Sequence, residues 1–340
     1  MKKKINILSI DGGGIRGIIP AIILNYIEEG LQKRTGDPNV TLADYFDMIA
    51  GTSTGGMLTC FYLLPPYEGQ GLHSRYRAKE AIDIYINKGK DIFKRKKFCF
   101  FGLFSEQYPS TGLERILTEK MEDITLDQTR KHCLVTAYDI TERKAVLFTT
   151  PAAKKYDQRN YYMRDVARAT SAAPTYFKLA TVRSMGGAMS YLIDGAMFAG
   201  NPTMCAWVEA RKTDFGDINN PGINDLYIVS LGTGKEKKKY NYKKAGKWGL
   251  IGWARPVVDV LLSSSAEVVD YQMQKLFEAS GCHDCYVRVD PELGKAKSEM
   301  DNASDENINH LKDAGYCYIK DHAEILDDII DRLIINELGE

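Results

Sequence analysis

Two apolar runs near the start of the chain each end in a glycine-rich turn and continue into a helical pattern. The first run, Ile5–Ile10, passes through three consecutive glycines into residues 18–32, where apolar side chains recur at helical spacing. The second unit runs from a strand pattern at 45–50 through a turn at 51–56 into a helix at 57–64. Strands that alternate with helices predict a mainly parallel central sheet flanked by helices, a three-layer α/β/α fold.

The rest of the chain continues this alternation. No internal repeat or long low-complexity linker divides it. The patterns predict strands at 133–140, 145–149, 191–193 and 226–231, and helices at 163–172 and 308–335, the last with breaks near Gly315.

Charge and cysteine content narrow the classes of protein to which the chain can belong. Lys+Arg and Asp+Glu both number 45, so net charge gives no indication of a nucleic-acid partner. Seven cysteines are too sparse for a disulfide scaffold and favour a reducing compartment. One C-x-x-C, Cys282 to Cys285, is weak evidence for zinc, so we predict two structural thiols there.

No stretch of about 18 apolar residues exists to span a bilayer. The predicted location is the cytoplasm, with peripheral membrane contact left open.

Residues 51–55 read Gly-Thr-Ser-Thr-Gly, a G-x-S-x-G motif between a predicted strand and a predicted helix. A nucleophile on such a sharp turn needs small neighbours two residues away, which Gly51 and Gly55 supply as the elbow. The turn exposes the Ser53 hydroxyl beside a helix N-terminus, whose partial positive charge favours developing negative charge. A glycine-rich turn with a capping serine would give the same letters, so both interpretations stay open for the motif alone.

A second glycine motif, D-G-G-G-I-R-G at residues 11–17, also lies between strand and helix. Read from Gly12 it satisfies G-x-G-x-x-G, so a dinucleotide-dependent oxidoreductase is a serious alternative. That fingerprint needs an acid about 20 positions on, at the end of the next strand, whereas Glu28, Glu29 and Asp37 fall in or just after the helix. Alternatively, consecutive glycines direct their N–H groups to one point as an oxyanion hole, where one donor contributes about 2.7–4 kcal/mol.

Asp194-Gly195-Ala196 directly follows the short strand predicted at 191–193. Aspartate before glycine is also a common turn. A Ser-His-Asp triad needs a histidine on a loop near the nucleophile. No histidine has that context: they precede a strand, lie between two cysteines or lie in a polar helix, and structural or surface roles suit them better. If a carboxylate is the base, Asp194 is the candidate. The five histidines are His73, His132, His283, His310 and His322.

Taken together and in this order, the three motifs resemble those of the patatin-like phospholipases, in their bacterial form. Two weaker stretches, 169–174 and 230–234, agree, so the resemblance covers roughly residues 5–234 with five motifs in sequence. One departure is Gly200-Asn201-Pro202, where many members carry two asparagines before the proline. From this coverage we predict a catalytic domain over residues 1–250 and a C-terminal helical extension over 251–340, packed on the same domain.

The resemblance implies a lipid acyl hydrolase that uses a Ser-Asp dyad, an acyl-enzyme and no metal or other cofactor. Ser53 would be the nucleophile and Asp194 its base. The substrate would be a membrane phospholipid or another lipid ester. Some bacterial members are switched on by small signalling molecules, which leaves open a small-molecule activator and a ligand-controlled, non-catalytic lipid-binding module. The oxyanion loop would consist of Gly12, Gly13, Gly14 and, to order it, Arg16.

Two segments combine clustered lysines with aromatic side chains, as monotopic membrane contacts do. In the first, a basic run at 94–97 leads directly into Phe98, Phe100 and Phe101. In the second, seven lysines between residues 235 and 247 precede Trp248 and Trp253. These five aromatic residues are the predicted membrane contacts. The alternative is that the lysines lie in solvated loops and the aromatic side chains fold into the core.

Overall fold

The computed structural model describes residues 3–92, 108–236 and 245–338. Within these ranges eight strands form one sheet. The strands are β1 (Ile5–Ile10), β2 (Met48–Gly51), β3 (His132–Asp139), β4 (Lys144–Thr149), β5 (Ala180–Arg183), β6 (Met189–Asp194), β7 (Leu226–Leu231) and β8 (Tyr286–Val289).

Helices cover both faces of this sheet. They are α1 (Ile18–Thr35), α2 (Leu42–Tyr45), α3 (Thr54–Tyr62), α4 (Ala78–Ile92), α5 (Thr111–Met121), α6 (Thr150–Lys155), α7 (Met163–Thr170), α8 (Thr203–Ala210), α9 (Leu250–Ala279), α10 (Asp305–Asp321) and α11 (Ala323–Leu338).

The sheet has a parallel centre and an antiparallel edge. The strand order is β5-β6-β3-β2-β1-β7-β8, and β4 also pairs with β3. Strands β3, β2, β1, β7 and β8 run parallel. Strand β6 is antiparallel to β3, with Asp194 opposite Ala137. The glycine loop after β1 and the serine turn after β2 therefore lie at the same end of adjacent strands, which is where open α/β sheets bind ligands.

Strand β1 shows why the fold has three layers. All six of its residues are buried. Ile5 and Ile7 pack into a core that includes Ala206 of α8 and Phe277 of α9. Leu8 and Ile10 belong to the opposite core, which α1, α3 and α4 help to cover. Because successive strand residues face opposite sides, a continuous apolar run is what a sheet covered on both faces requires. The predicted α/β/α architecture is confirmed.

Residues after 250 contribute to the central sheet. Strand β8 pairs in parallel with β7, with Val289 opposite Leu231. Helix α10 packs closely on α1 at Gly315, where a Cβ would lie 3.2 Å from Ile22. Glycine there permits close helix packing and does not break the helix. The break comes instead at His322, between α10 and α11, so its predicted position near Gly315 is wrong. The domain boundary near residue 250 stays a prediction.

The C-x-x-C pair differs from its prediction as two thiols. The structure joins Cys282 and Cys285 by a disulfide, and their Cα atoms are 5.5 Å apart, within the usual range for such a bond. In the described part of the chain no helix is long and apolar enough to cross a membrane.

Candidate active site

Ser53 occupies a strained turn between β2 and α3. Its φ of 54° and ψ of −121° are unfavourable for a residue with a Cβ, and such strain collects where function requires a fixed side-chain direction. Gly51 and Gly55 permit the turn. A Cβ on Gly51 would meet the backbone of Gly55, and one on Gly55 would meet the backbone of Ile10. Both elbow glycines therefore lie where the sequence places them, and neither position has room for a side chain.

The backbone of Ser53 is held by a residue that sequence reasoning missed. The Thr170 hydroxyl, at the end of α7, accepts a hydrogen bond from the Ser53 amide at 2.8 Å. Thr170 is fully buried. It lies in the stretch 169–174, which was recognised only as a family motif, and only the tertiary contact reveals its role.

Asp194 lies at the end of β6 beside the Ser53 hydroxyl. One carboxylate oxygen accepts the Ala196 amide at 2.8 Å, and the Ser53 side chain lies near enough to the carboxylate to lower its pKa. Burial raises the pKa of Asp194 from 3.8 to about 7, against the opposing effects of the Ser53 side chain and the Ala196 amide. A carboxylate with this pKa is a much stronger base near neutral pH than an exposed one.

The glycine loop passes in front of Ser53, where a Cβ on Gly12 would lie 3.3 Å from the Ser53 Cβ. The Gly12 amide donates to the Gly200 carbonyl at 2.9 Å, so it is not a free donor, in contrast to the expectation for all three glycines. Among the described residues, no acceptor faces the amides of Gly13 and Gly14. Arg16 donates from its side chain to the Gly13 carbonyl at 3.4 Å, and its role in ordering the loop stays a prediction.

Gly14 has a φ of 59°, in the left-handed region that favours glycine. A Cβ there would also collide with Met300. Thr54 follows the serine at the first turn of α3, where helix amides lack intrahelical acceptors. Among the described residues around Ser53, the amides without an acceptor are therefore those of Gly13, Gly14 and Thr54.

A largely apolar cavity opens beside these groups. Ser53 and Asp194 both line it. None of the five histidines, all of which lie in the described ranges, contributes to the lining. The apolar lining includes Met57, Ile92, Leu113, Phe177, Met197 and Met300.

Two other sequence expectations can be compared with the structure. Glu28, one of the acids that the sequence places in the helix and not at the end of a second strand, is buried and accepts the amides of Leu42 and Ala78, at 3.1 and 2.8 Å. It therefore has no role at the glycine loop. Within the described ranges, no group of three or more His, Cys, Asp or Glu side chains is arranged to hold a metal ion.

The predicted membrane contacts fall into two groups. Phe98, Phe100 and Phe101 lie outside the described residues. Trp248 and Trp253 are described and pack edge to face, with ring centroids 5.1 Å apart. Trp253 is 42% exposed.

Comparison with known proteins identifies the family of the chain. The sequence model of the family described as patatin-like phospholipase matches residues 8–207. Patatin-like protein 2 of Oryza sativa subsp. indica is 33% identical, over 92% of this chain and 83% of that protein. Patatin-like protein 2 of Arabidopsis thaliana is 34% identical over 92% and 82%, and patatin group J-1 of Solanum tuberosum is 31% identical over 94% and 85%. These relatives are plant proteins, and the bacterial form stays a prediction. The chain belongs to the patatin-like phospholipase family and is a lipid acyl hydrolase.

Proposed function

We propose that the chain cleaves fatty-acyl esters of phospholipids through Ser53 and Asp194 by way of an acyl-enzyme. The observation that carries this proposal is the placement of a buried carboxylate beside a serine hydroxyl, both at the wall of one apolar cavity. An acyl chain fits an apolar cavity, and its ester carbonyl would then lie near Ser53. The cavity contains no histidine that could compete for the role of base.

Each proton in the proposed reaction has a donor and an acceptor. Ser53 Oγ attacks the ester carbonyl while Asp194 takes the hydroxyl proton, and the amides of Gly13, Gly14 and Thr54 stabilise the tetrahedral oxyanion. The C–O bond to the alcohol breaks, and Asp194 returns the proton to that leaving oxygen. Water then attacks the acyl-enzyme, and Asp194 takes its proton. The fatty acid leaves, and the same proton restores the Ser53 hydroxyl.

Fatty-acid release from phosphatidylcholine vesicles tests this proposal. We expect release that rises with pH through about 7 and reaches a plateau above it, because only the ionised Asp194 can accept the serine proton. The profile should be measured as kcat/KM between pH 5 and pH 9, since this ratio reports the free enzyme. A zwitterionic lipid keeps the vesicle charge constant across that range. Absence of release would reject the proposed activity, whereas release with a flat profile would reject Asp194 as the base.

We also propose that the enzyme contacts the membrane surface through its two lysine-and-aromatic segments. Support comes from Trp253, which is partly exposed three residues into α9, directly after the lysine-rich stretch 235–247. Lysines attract anionic headgroups, and tryptophan prefers the headgroup region.

Vesicle co-sedimentation of Trp253→Ala tests this contact. Burying about 40 Å² of the ring contributes about 1 kcal/mol, so partitioning onto anionic vesicles should fall about fivefold. The control is Tyr316→Ala, because Tyr316 is 55% exposed on another helix, α10. Equal binding by both variants and wild type would contradict the proposal.

A further inference from the structure

A buried ion pair lies directly behind the glycine loop. Asp11 is the first residue after β1, and its carboxylate receives two hydrogen bonds from Arg288 of β8, at 3.1 and 2.6 Å. The two side chains are only 6% and 9% exposed. Arg288 lies 277 positions along the chain from Asp11 and outside residues 8–207, which the family model matches. The residue that holds the start of this loop therefore comes from a part of the chain without a recognised motif.

Arg288 is itself fixed by further contacts. It donates to the Ser230 hydroxyl at 2.8 Å and to the Asp290 carboxylate at 3.1 Å. A guanidinium that forms two parallel bonds to a carboxylate defines its orientation as well as its distance. The pair therefore restrains both the position and the rotation of Asp11.

Hydrogen bonds also fix the glycine loop on both sides of the free amides of Gly13 and Gly14. The Asp11 amide donates to the Leu231 carbonyl, and the Gly12 amide donates to Gly200, both at 2.9 Å. The Thr233 hydroxyl donates to the Gly12 carbonyl at 2.8 Å. Beyond the free amides, the Ile15 amide donates to the Met300 carbonyl at 2.9 Å. Residues of the C-terminal half thus fix the loop on both sides of Gly13 and Gly14.

We propose that Arg288 is a positioning residue for ester hydrolysis, which acts by holding Asp11 and so aims the amides of Gly13 and Gly14 at the oxyanion. This inference rests on the proposed function of the glycine loop. A buried ion pair often contributes little net stability compared with an apolar pair, but loss of one partner alone leaves an uncompensated buried charge, so each single variant also needs a thermal melt. A displacement of about 1 Å in such a site can lower a rate about 100-fold.

Steady-state kinetics of Arg288→Gln tests the inference. We expect kcat to fall about 100-fold while KM changes less than about threefold, because the oxyanion exists only in the transition state. Binding of a trifluoromethyl ketone, which forms a tetrahedral adduct with the serine, should weaken by about the same factor as kcat/KM. Arg288→Lys should recover part of kcat, since lysine keeps the charge but cannot form two parallel bonds. Asp11→Asn should resemble Arg288→Gln, and the double variant should lose little more than either single variant.

The matched control is Arg332→Gln. Arg332 also pairs with two carboxylates in the C-terminal part, Asp328 at 2.8 Å and Asp284 at 3.4 Å. It belongs to α11, and neither of these partners lies in the glycine loop. Its loss should leave kcat within about twofold of wild type. A loss of kcat in Arg332→Gln equal to that in Arg288→Gln would mean general destabilisation and would overturn the inference.

Amide hydrogen exchange supplies a readout that does not require turnover. The peptide that covers residues 11–17 should exchange at least about tenfold faster in Arg288→Gln than in wild type or Arg332→Gln. Unchanged exchange together with unchanged kcat in a hydrolytic enzyme would overturn the positioning role and leave the Ser-Asp mechanism intact. If wild type releases no fatty acid, the proposed function fails, and the exchange rates alone decide whether Arg288 orders the loop.

Discussion

Replacing Ser53 by alanine is expected to lower kcat for lipid-ester hydrolysis by at least about 10⁴-fold in a protein that remains folded. Alanine keeps the Cβ that the strained turn already accommodates, so the change removes only the hydroxyl. Without it no acyl-enzyme forms. What remains is the stabilisation of an oxyanion by the amides of the glycine loop, acting on direct attack by water.

The control for this change is Ser171→Ala. Ser171 lines the same cavity, but its hydroxyl donates to the Arg168 carbonyl at 3.1 Å. We expect its kcat to stay within about threefold of wild type. Initial rates on vesicles, together with thermal melts of both variants, check the prediction. Substantial hydrolysis by Ser53→Ala would show that another group is the nucleophile.

The motifs that form the site could be predicted because they belong to strand ends. Residues 11–17 follow β1, residues 51–55 begin at the last residue of β2, and these strands are parallel neighbours. Local patterns therefore suffice to place both glycine motifs at one edge of the sheet. Asp194 was harder to place, because β6 is antiparallel to β3 and its register depends on the pairing of Ala137 with Asp194. The poor placement of the histidines makes Asp194 a candidate base, and the resemblance to a family is what links it with Ser53.

The contacts that position the loop could not be predicted from sequence. Thr233, Arg288 and Met300 all touch residues 11–17 from more than 200 positions away. No spacing rule connects residues at such separations. The same reasoning explains Gly12: three consecutive glycines suggest three free amides, yet the Gly200 carbonyl occupies the first of them.

Burial of the ionised Asp194 carboxylate lowers the free energy of unfolding. The pKa of its carboxyl is about 7 in the folded protein, against 3.8 as the ordinary value. Above pH 7 both the folded and unfolded states carry the ionised group, and the folded state bears the full cost of burying it. As pH falls from about 7 to about 4, the folded state takes up a proton that the unfolded state does not yet bind, and this relieves the cost. Stability attributable to this group therefore declines as pH rises from about 4 to about 7.

Asp194→Asn should consequently lower activity and raise stability in the same molecule. Asparagine cannot accept the serine proton, so kcat should fall about 10³- to 10⁴-fold. Three pKa units correspond to about 4 kcal/mol. The asparagine side chain brings an NH₂ donor to a position where the carboxylate accepted hydrogen bonds, and this mismatch offsets part of the gain. We expect a net increase of about 2 kcal/mol in the free energy of unfolding above pH 7, or about 3 °C in Tm.

Thermal melts of wild type and Asp194→Asn between pH 5 and pH 8.5 measure this effect, and the gap should widen as pH rises. Asp44→Asn is the opposite control. Burial tends to raise the pKa of Asp44, but hydrogen bonds from Thr41, His73 and Arg130 lower it overall, so this carboxylate stabilises the fold at neutral pH. Its replacement should lower Tm. If the difference in Tm between wild type and Asp194→Asn does not change with pH, Asp194 is not a base whose pKa is raised by burial. Its buried charge would then not be the link between stability and catalysis in this enzyme.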